Sequence, residues 1–236
     1  MTIGRAFLMS VVLLLEPVYS QDRIVVSASV SGVDHPIYRV AVRILPEAYK
    51  MIGCDMELKI VPALRAIALF DNERVDGFIF SDTLFTKKHP NSIIVPIPLG
   101  YDEFVVYTVK TKFIPDGWGS LRPYSIGYLK GMLVVENNLV GMNTDGAENR
   151  DQIFTKLVAG RTDVAVLPRY ISSTLKNKYP EVTYLMPPLA KTPLYTYLTA
   201  KNRTLAPRLA GALSTLRTKG RIKEVTDQVL AEMHAE

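Results

Sequence analysis

The sequence predicts an α/β protein of two lobes, each a mostly parallel sheet flanked by helices, joined by two strands that act as a hinge. Strand-like and amphipathic helical segments alternate along the chain, an order typical of parallel sheets with helical crossovers. The stretch ERVDGFIFSD at 73–82 has a counterpart in RTDVAVLPR at 161–169, since both carry Arg-x-Asp, an apolar run and a polar exit. Two alternating strand segments, at 103–110 and 194–201, lie on either side of the second unit and predict the hinge.

The first lobe is expected to contain three strands and two helices. β-branched residues and alternation mark the strands, and apolar residues at helical spacing mark the helices. Pro62 stands where proline is tolerated, in the first turn of a helix. The expected order is strand 23–30, helix 37–51, strand 56–61, helix 63–70 and strand 75–80.

The second lobe repeats this pattern, and the chain then returns to the first. The expected elements are strand 124–129, helix 151–159, strand 161–169 and two C-terminal amphipathic helices at 205–216 and 222–233. The domain organisation predicted from this order is 21–103 plus 195–236 for lobe 1 and 104–194 for lobe 2. A cleft is then expected between the lobes, at the carboxyl ends of the strands.

Residues 1–20 have the features of a secretory signal peptide. A short basic start ending at Arg5 precedes an apolar run from Ala6 to Leu15. That run is shorter than the roughly 20 residues that span a bilayer. Small residues precede an expected cleavage after Ser20, so we expect a periplasmic mature protein.

Composition limits the function classes. With 48% hydrophobic and 22% charged residues, the 236-residue chain can bury an ordinary globular core. The net charge of +5 comes from scattered basic residues, a pattern that argues against nucleic-acid binding. Cys54 is the only cysteine, so an internal disulfide or a cysteine-based metal site is excluded, and we expect it to be a small buried side chain.

Motifs for catalysis are scarce. The sequence has no nucleophile elbow and no Gly-rich phosphate loop. His35, His89 and His234 are far apart, and a structural or solvent role is expected for each. We therefore expect a binding protein without a cofactor rather than an enzyme.

Four segments together resemble a known family. They are VDGFIFSDTLFTKKH (75–89), GSLRPYSIGYLKG (119–131), FTKLVAGRTDVAV (154–166) and PLYTYLTAKN (193–202). In this order and spacing, the mature chain resembles the bacterial extracellular solute-binding proteins of the family 3 type, which bind polar amino acids. The resemblance implies the class II periplasmic binding protein fold, a monomer, a small-molecule solute, and a membrane permease or a sensor kinase as partner.

The resemblance also implies a carboxylate site at Thr83 and Lys88. Lysine replaces the usual arginine, which gives a point charge instead of a planar fork. The family's acids for a ligand ammonium group align with Ser31 and with Leu167 or Pro168, none of which is an acid, and Asp34 is the nearest substitute.

Polar residues at the strand exits complete the predicted ligand site. They are Ser31, Asp34, Arg65, Ser81, Asp82, Thr83, Lys88, Lys130, Gly131, Arg169 and Tyr170. The basic members favour a carboxylated solute, and Tyr101, Tyr128 and Tyr170 are candidate stacking walls.

The sequence leaves three functions open. The first is an exported binding protein that closes its lobes on a solute for an ABC-type importer. The second is a periplasmic sensor or accessory protein. The third is a dehydratase-like enzyme on the same fold, with Asp82 or Glu136 as its carboxylic acid. The repeated pairs are interpreted as scaffold on every reading: Arg74 with Asp76, and Arg161 with Asp163.

Overall fold

The computed structural model describes residues 22–29, 33–171 and 178–235. The signal-like segment 1–20 and the predicted site residue Ser31 lie outside the described residues. The strands are Asp22–Ser29 (β1), Cys54–Val61 (β2), Gly77–Ser81 (β3), Ile93–Ile94 (β4), Gly100–Thr108 (β5), Ile126–Leu129 (β6), Thr144–Ala147 (β7), Val164–Pro168 (β8) and Thr183–Leu198 (β9).

The helices follow the same chain order. They are Pro36–Met51 (α1), Ala63–Asp71 (α2), Phe85–Lys88 (α3), Leu133–Asn138 (α4), Arg150–Val158 (α5), Leu205–Thr218 (α6) and Arg221–Ala235 (α7). Within the described part of the chain, no helix is both long and apolar enough to cross a membrane.

The strands form one continuous sheet in the order β2-β1-β3-β9-β5-β8-β6-β7, with β4 paired to β9. The first lobe is built on β1, β2 and β3, which pair in parallel. The second lobe is built on β6, β7 and β8, which also pair in parallel. This confirms the predicted two-lobed α/β architecture, in which each lobe is built on a mostly parallel part of the sheet.

Two antiparallel strands connect the lobes. One end of β9 pairs with β3, and the rest pairs with β5 from Gly100–Leu194 to Thr108–Thr183. β5 in turn pairs with β8 of the second lobe. These are the predicted hinge strands, but β9 begins at Thr183 rather than 194. Pro187 and Pro188 lie in the first half of β9, where its pairing with β5 shifts register. Proline has no N–H to donate to the neighbouring strand, and a bulge tolerates this.

The core of the first lobe lies between its sheet and three helices. α1 buries one face against α6 and α7, and Leu194 and Leu198 of β9 complete this cluster. Cys54 is 2% exposed, which confirms its expected role as a small buried side chain. The second lobe has a cluster on each face of its sheet.

The repeated Arg-x-Asp pairs are scaffold, as interpreted from the sequence. The Asp76 carboxylate accepts the Val25 N–H at 2.8 Å, so it fixes the start of β3 against β1. The Asp163 carboxylate accepts the Ser125 N–H at 2.8 Å and so fixes the start of β8 against β6. Arg74 and Arg161 have exposed side chains, and each donates its backbone N–H to the preceding helix.

Candidate functional site

The N-terminus of α1, the first residues of β5 and the exit of β8 meet between the lobes. His35 precedes α1, Asp102 and Glu103 lie in β5, and Arg169 and Tyr170 follow β8. Because parallel strands end at one edge of their sheet, each lobe presents polar side chains to this region.

His35 fixes the first-lobe side of the site. Its Nδ1 accepts the Ile37 N–H at 3.1 Å and caps α1, while its Nε2 lies 3.0 Å from Asp102 Oδ1. A backbone N–H can only donate, so Nδ1 carries no proton and the bond to Asp102 uses the Nε2–H. The ring also contacts Phe80 at a centroid distance of 5.1 Å.

Tyr170, from the second lobe, contacts the same histidine. Its ring centroid is 4.5 Å from that of His35, and its hydroxyl accepts from Arg150 Nη2 at 3.2 Å. Burial raises the pKa of Tyr170 to about 12, although Arg150 acts in the opposite direction. Tyr170 therefore stays protonated and connects the lobes through an aromatic contact.

The Glu103 carboxylate lies near two basic side chains, one that follows β8 and one in β9. Its carboxylate lies 2.9 Å from Arg169 Nη2 and 3.4 Å from Lys191 Nζ. Lys191 also lies over the ring of Tyr101, with 4.9 Å between Nζ and the centroid.

These groups line a cavity of about 570 Å³ between the start of α1, the hinge strands, the exit of β8 and the C-terminal helices. Its charged lining consists of Arg169, Lys191, Arg217 and Lys223 against Asp102 and Glu103, four cations and two acids without counting His35. The cavity therefore has a positive balance of two charges, which favours an anionic ligand.

The exit of β3 contributes less than the sequence predicts. Asp82 is half-buried and its carboxylate accepts the Leu84 N–H at 2.8 Å. Burial raises the pKa of Asp82, and bonds from Leu84 and Phe85 only partly oppose this. Ser81 is half-buried and pairs with Tyr195, whereas Thr83 is exposed.

Several predicted residues lie elsewhere. Lys88 lines a separate cavity of about 220 Å³ with His89 and Ser92. Arg65 lies on an exposed groove beside Arg74. The structure thus brings neither basic residue to the large cavity.

The predicted residues after β6 are engaged with neighbours. Lys130 Nζ lies 2.7 Å from Glu148 Oε1. The Gly131 N–H donates to Glu136 Oε1 at 2.8 Å. The Glu136 carboxylate, a candidate acid for a dehydratase-like enzyme, therefore stabilises the turn after β6. Asp34 is exposed, and its charge contributes to the raised pKa of Tyr170.

Sequence reasoning missed His35, Asp102 and Arg150. A histidine directly before Pro36 could have been recognised as a helix cap, since proline favours the first helical position. Asp102 and Arg150 carry no local signal, because their partners are distant in sequence. Among the described residues, no cluster of three or more His, Cys, Asp or Glu side chains could hold a metal ion.

No protein-family model matches the chain. An uncharacterised protein of Shewanella oneidensis is 28% identical over 215 residues, which cover 84% of this chain and 80% of that protein. A mutant of ArgBP from T. maritima shares the fold with a TM-score of 0.64 and 16% identity, covering 89% of this chain and 95% of that one.

Two further solved structures have the same architecture. A histidine kinase sensor domain with similarity to periplasmic binding proteins has a TM-score of 0.67 at 15% identity, covering 89% of this chain and 96% of that one. The probable amino-acid ABC transporter extracellular-binding protein ytmK from Bacillus subtilis has a TM-score of 0.68 at 14% identity, covering 89% and 99%. At these identities the likeness shows the fold: a two-lobed, periplasmic binding protein-like α/β structure of class II.

Proposed function

We propose that the chain is an exported solute-binding protein that captures a small polar, carboxylated solute between its lobes and delivers it to the permease of an ABC-type importer. The observation that carries this proposal is the cavity of about 570 Å³, which side chains of both lobes and the hinge line together. Its volume lies within the roughly 300–1,000 Å³ usual for small-molecule sites.

The mechanism is closure of the lobes about β5 and β9. A ligand that contacts both lobes stabilises the closed form relative to the open one. The moving bodies in this proposal are 21–103 plus 195–236 and 104–194. Arg169 and Tyr170 belong to the second body and His35 to the first, so a solute in the cavity that they line is contacted from both bodies.

A ligand screen tests the proposal. The mature chain from residue 21 is mixed with amino acids, organic acids and polyamines, and its melting temperature and radius of gyration are measured. At 100 times Kd, a solute stabilises the folded state by about 2.7 kcal/mol. We expect a carboxylated solute to raise the melting temperature and reduce the radius of gyration.

Arg169→Ala should weaken this response, whereas Arg122→Ala, a change at an exposed arginine outside the cavity lining, should not. No shift with any solute in the screen would overturn the proposal.

A sensor or accessory role is the second candidate, because the fold likeness to a kinase sensor domain is as strong as that to transporter proteins. A gene for a sensor kinase beside this one, in place of genes for a permease and an ATPase, would favour that role.

The raised pKa of Asp82 is the one observation that favours a dehydratase-like activity. Turnover of prephenate or arogenate that disappears in Asp82→Asn or Glu136→Gln would establish it. We expect no turnover, since both carboxylates accept backbone N–H groups.

A further inference from the structure

We propose that the solute is an amphiphilic organic anion, with one carboxylate on an apolar body the size of an aromatic ring, and that Arg217 binds the carboxylate. This inference rests on the proposed function, keeps its carboxylated solute, and replaces a solute that is polar throughout by one with an apolar body. It concerns the part of the cavity between α7 and the hinge strands.

One wall of this part is an apolar face of α7. Ile222, Thr226, Leu230 and Met233 recur at helical spacing and all line the cavity. Leu230, which lines the cavity, remains 39% exposed. Covering such a partly exposed apolar face with an apolar body removes it from water, which favours binding.

Two partly exposed tyrosines also line the cavity. Tyr101 and Tyr184 line the cavity from the two hinge strands, and they remain 48% and 38% exposed. A partly exposed ring of this kind can cover one side of an apolar body. A small polar amino acid would leave these rings and the apolar face of α7 in contact with water.

Charge pairing distinguishes the acids from the basic residues of the cavity. Asp102 is bonded to His35, and Glu103 is shared by Arg169 and Lys191. Both acids of the lining are therefore engaged, and neither is left for a ligand ammonium group. This argues against a zwitterionic α-amino acid.

The basic side is not fully paired. Lys223 lies 2.5 Å from Asp227, but Arg217 makes no ion pair with any residue of the described ranges. Arg217 lies in the last turn of α6 and lines the cavity. A guanidinium binds a carboxylate through two parallel hydrogen bonds, which fixes the orientation of the anion.

The test measures binding of matched probes to the mature chain by calorimetry. The probes are 3-phenylpropionate, 3-phenylpropylamine, succinate and L-glutamine, which separate the apolar body from the charge. We expect 3-phenylpropionate to bind at least tenfold more tightly than the other three. Failure of 3-phenylpropionate to exceed the other probes would overturn the inference, and if L-glutamine or succinate bound instead, the proposed function would stand without it.

Variants locate the site. Arg217→Ala should weaken 3-phenylpropionate binding about tenfold, the range of a charged hydrogen bond, whereas Arg203→Ala, at an exposed arginine preceding α6, should leave it unchanged. Leu230→Gln should weaken it several-fold, and Leu64→Gln, at a side chain 85% exposed on α2, is its control. Binding that responds to neither Arg217→Ala nor Leu230→Gln would place the ligand elsewhere and overturn the inference.

Discussion

His35 and Asp102 are joined by a 3.0 Å contact that links the start of α1 to the hinge strand β5, while the other nitrogen of the same ring caps α1. The His35 imidazole thus fixes the position of α1 relative to the hinge strand β5. Both side chains are largely buried, at 11% and 16% exposure, so water replaces these bonds poorly.

Removal of this ring should destabilise the fold. We expect His35→Ala to lower the free energy of unfolding by about 2 kcal/mol, because it removes a helix cap and a polar partner of Asp102. His35→Asn retains a capping oxygen and should recover about half of the loss. Urea unfolding measures both, and equal losses in the two variants would show that the cap contributes nothing.

Tyr170 should bias the balance between open and closed lobes. Tyr170→Ala removes the ring contact with His35, so we expect a larger radius of gyration without ligand in small-angle scattering. Tyr170→Phe keeps the ring and removes the hydroxyl that accepts from Arg150, so it should remain close to the parent chain. An unchanged radius in Tyr170→Ala would contradict a role in lobe contact.

Asp76 and Asp82 bracket β3 and should respond to pH in opposite directions. Burial alone would raise the pKa of Asp76, but bonds from Val25, Asn202 and Lys201 outweigh it and lower the pKa. Its contribution is present above the unfolded-state pKa near 3.9 and is lost as pH falls through the lower folded value. The raised pKa of Asp82 means the reverse: its charge costs stability above about pH 3.9, and protonation removes that cost.

Asparagine variants separate these two effects. At pH 7 we expect Asp76→Asn to cost about 1–2 kcal/mol and Asp82→Asn to be neutral or stabilising by at most about 1 kcal/mol. Both differences should shrink toward pH 3, measured by urea unfolding at the two pH values. A loss of similar size in both variants at pH 7 would contradict the opposite pKa directions.

Gly77 and Gly211 should respond in opposite ways to a methyl group. A Cβ at Gly77 would meet the Tyr197 carbonyl oxygen at 2.7 Å, so Gly77→Ala should cost about 2 kcal/mol by forcing β3 from β9. A Cβ at Gly211 meets nothing within 4 Å in α6, so Gly211→Ala should stabilise by about 0.5–1 kcal/mol. Thermal unfolding of both variants checks this, and a neutral Gly77→Ala would show that the strands separate easily.

The fold was predictable because its strands and helices carry strong local patterns. α1 and β8 followed from periodicity and apolar content, whereas β7, with the sequence TDGA, has too few β-branched residues to be recognised. The first part of β9 was not predicted, because Pro187 and Pro188 are unfavourable inside a strand. Only its pairing with β5 shows that this segment is a strand with a bulge.

The candidate site was less accessible to sequence reasoning. Arg169 and Tyr170, which line the cavity, could be proposed from the sequence because they follow a recognisable strand. His35 and Asp102 are distant in sequence and come together only in the folded sheet. Their spacing along the chain therefore does not predict the contact. Lys88 followed from a family resemblance, but the orientation of the short helix α3 takes it to another cavity.

The passage of β9 through both lobes also sets an order of assembly. Residues that build the second-lobe clusters are contiguous, from Phe104 to Leu189. The first-lobe core needs Leu194, Leu198 and both C-terminal helices, so it cannot close until synthesis of the chain is nearly finished. Because the early strands of the first lobe depend on residues in the last fifth of the sequence, we expect the first lobe to complete its core only after the second lobe has done so.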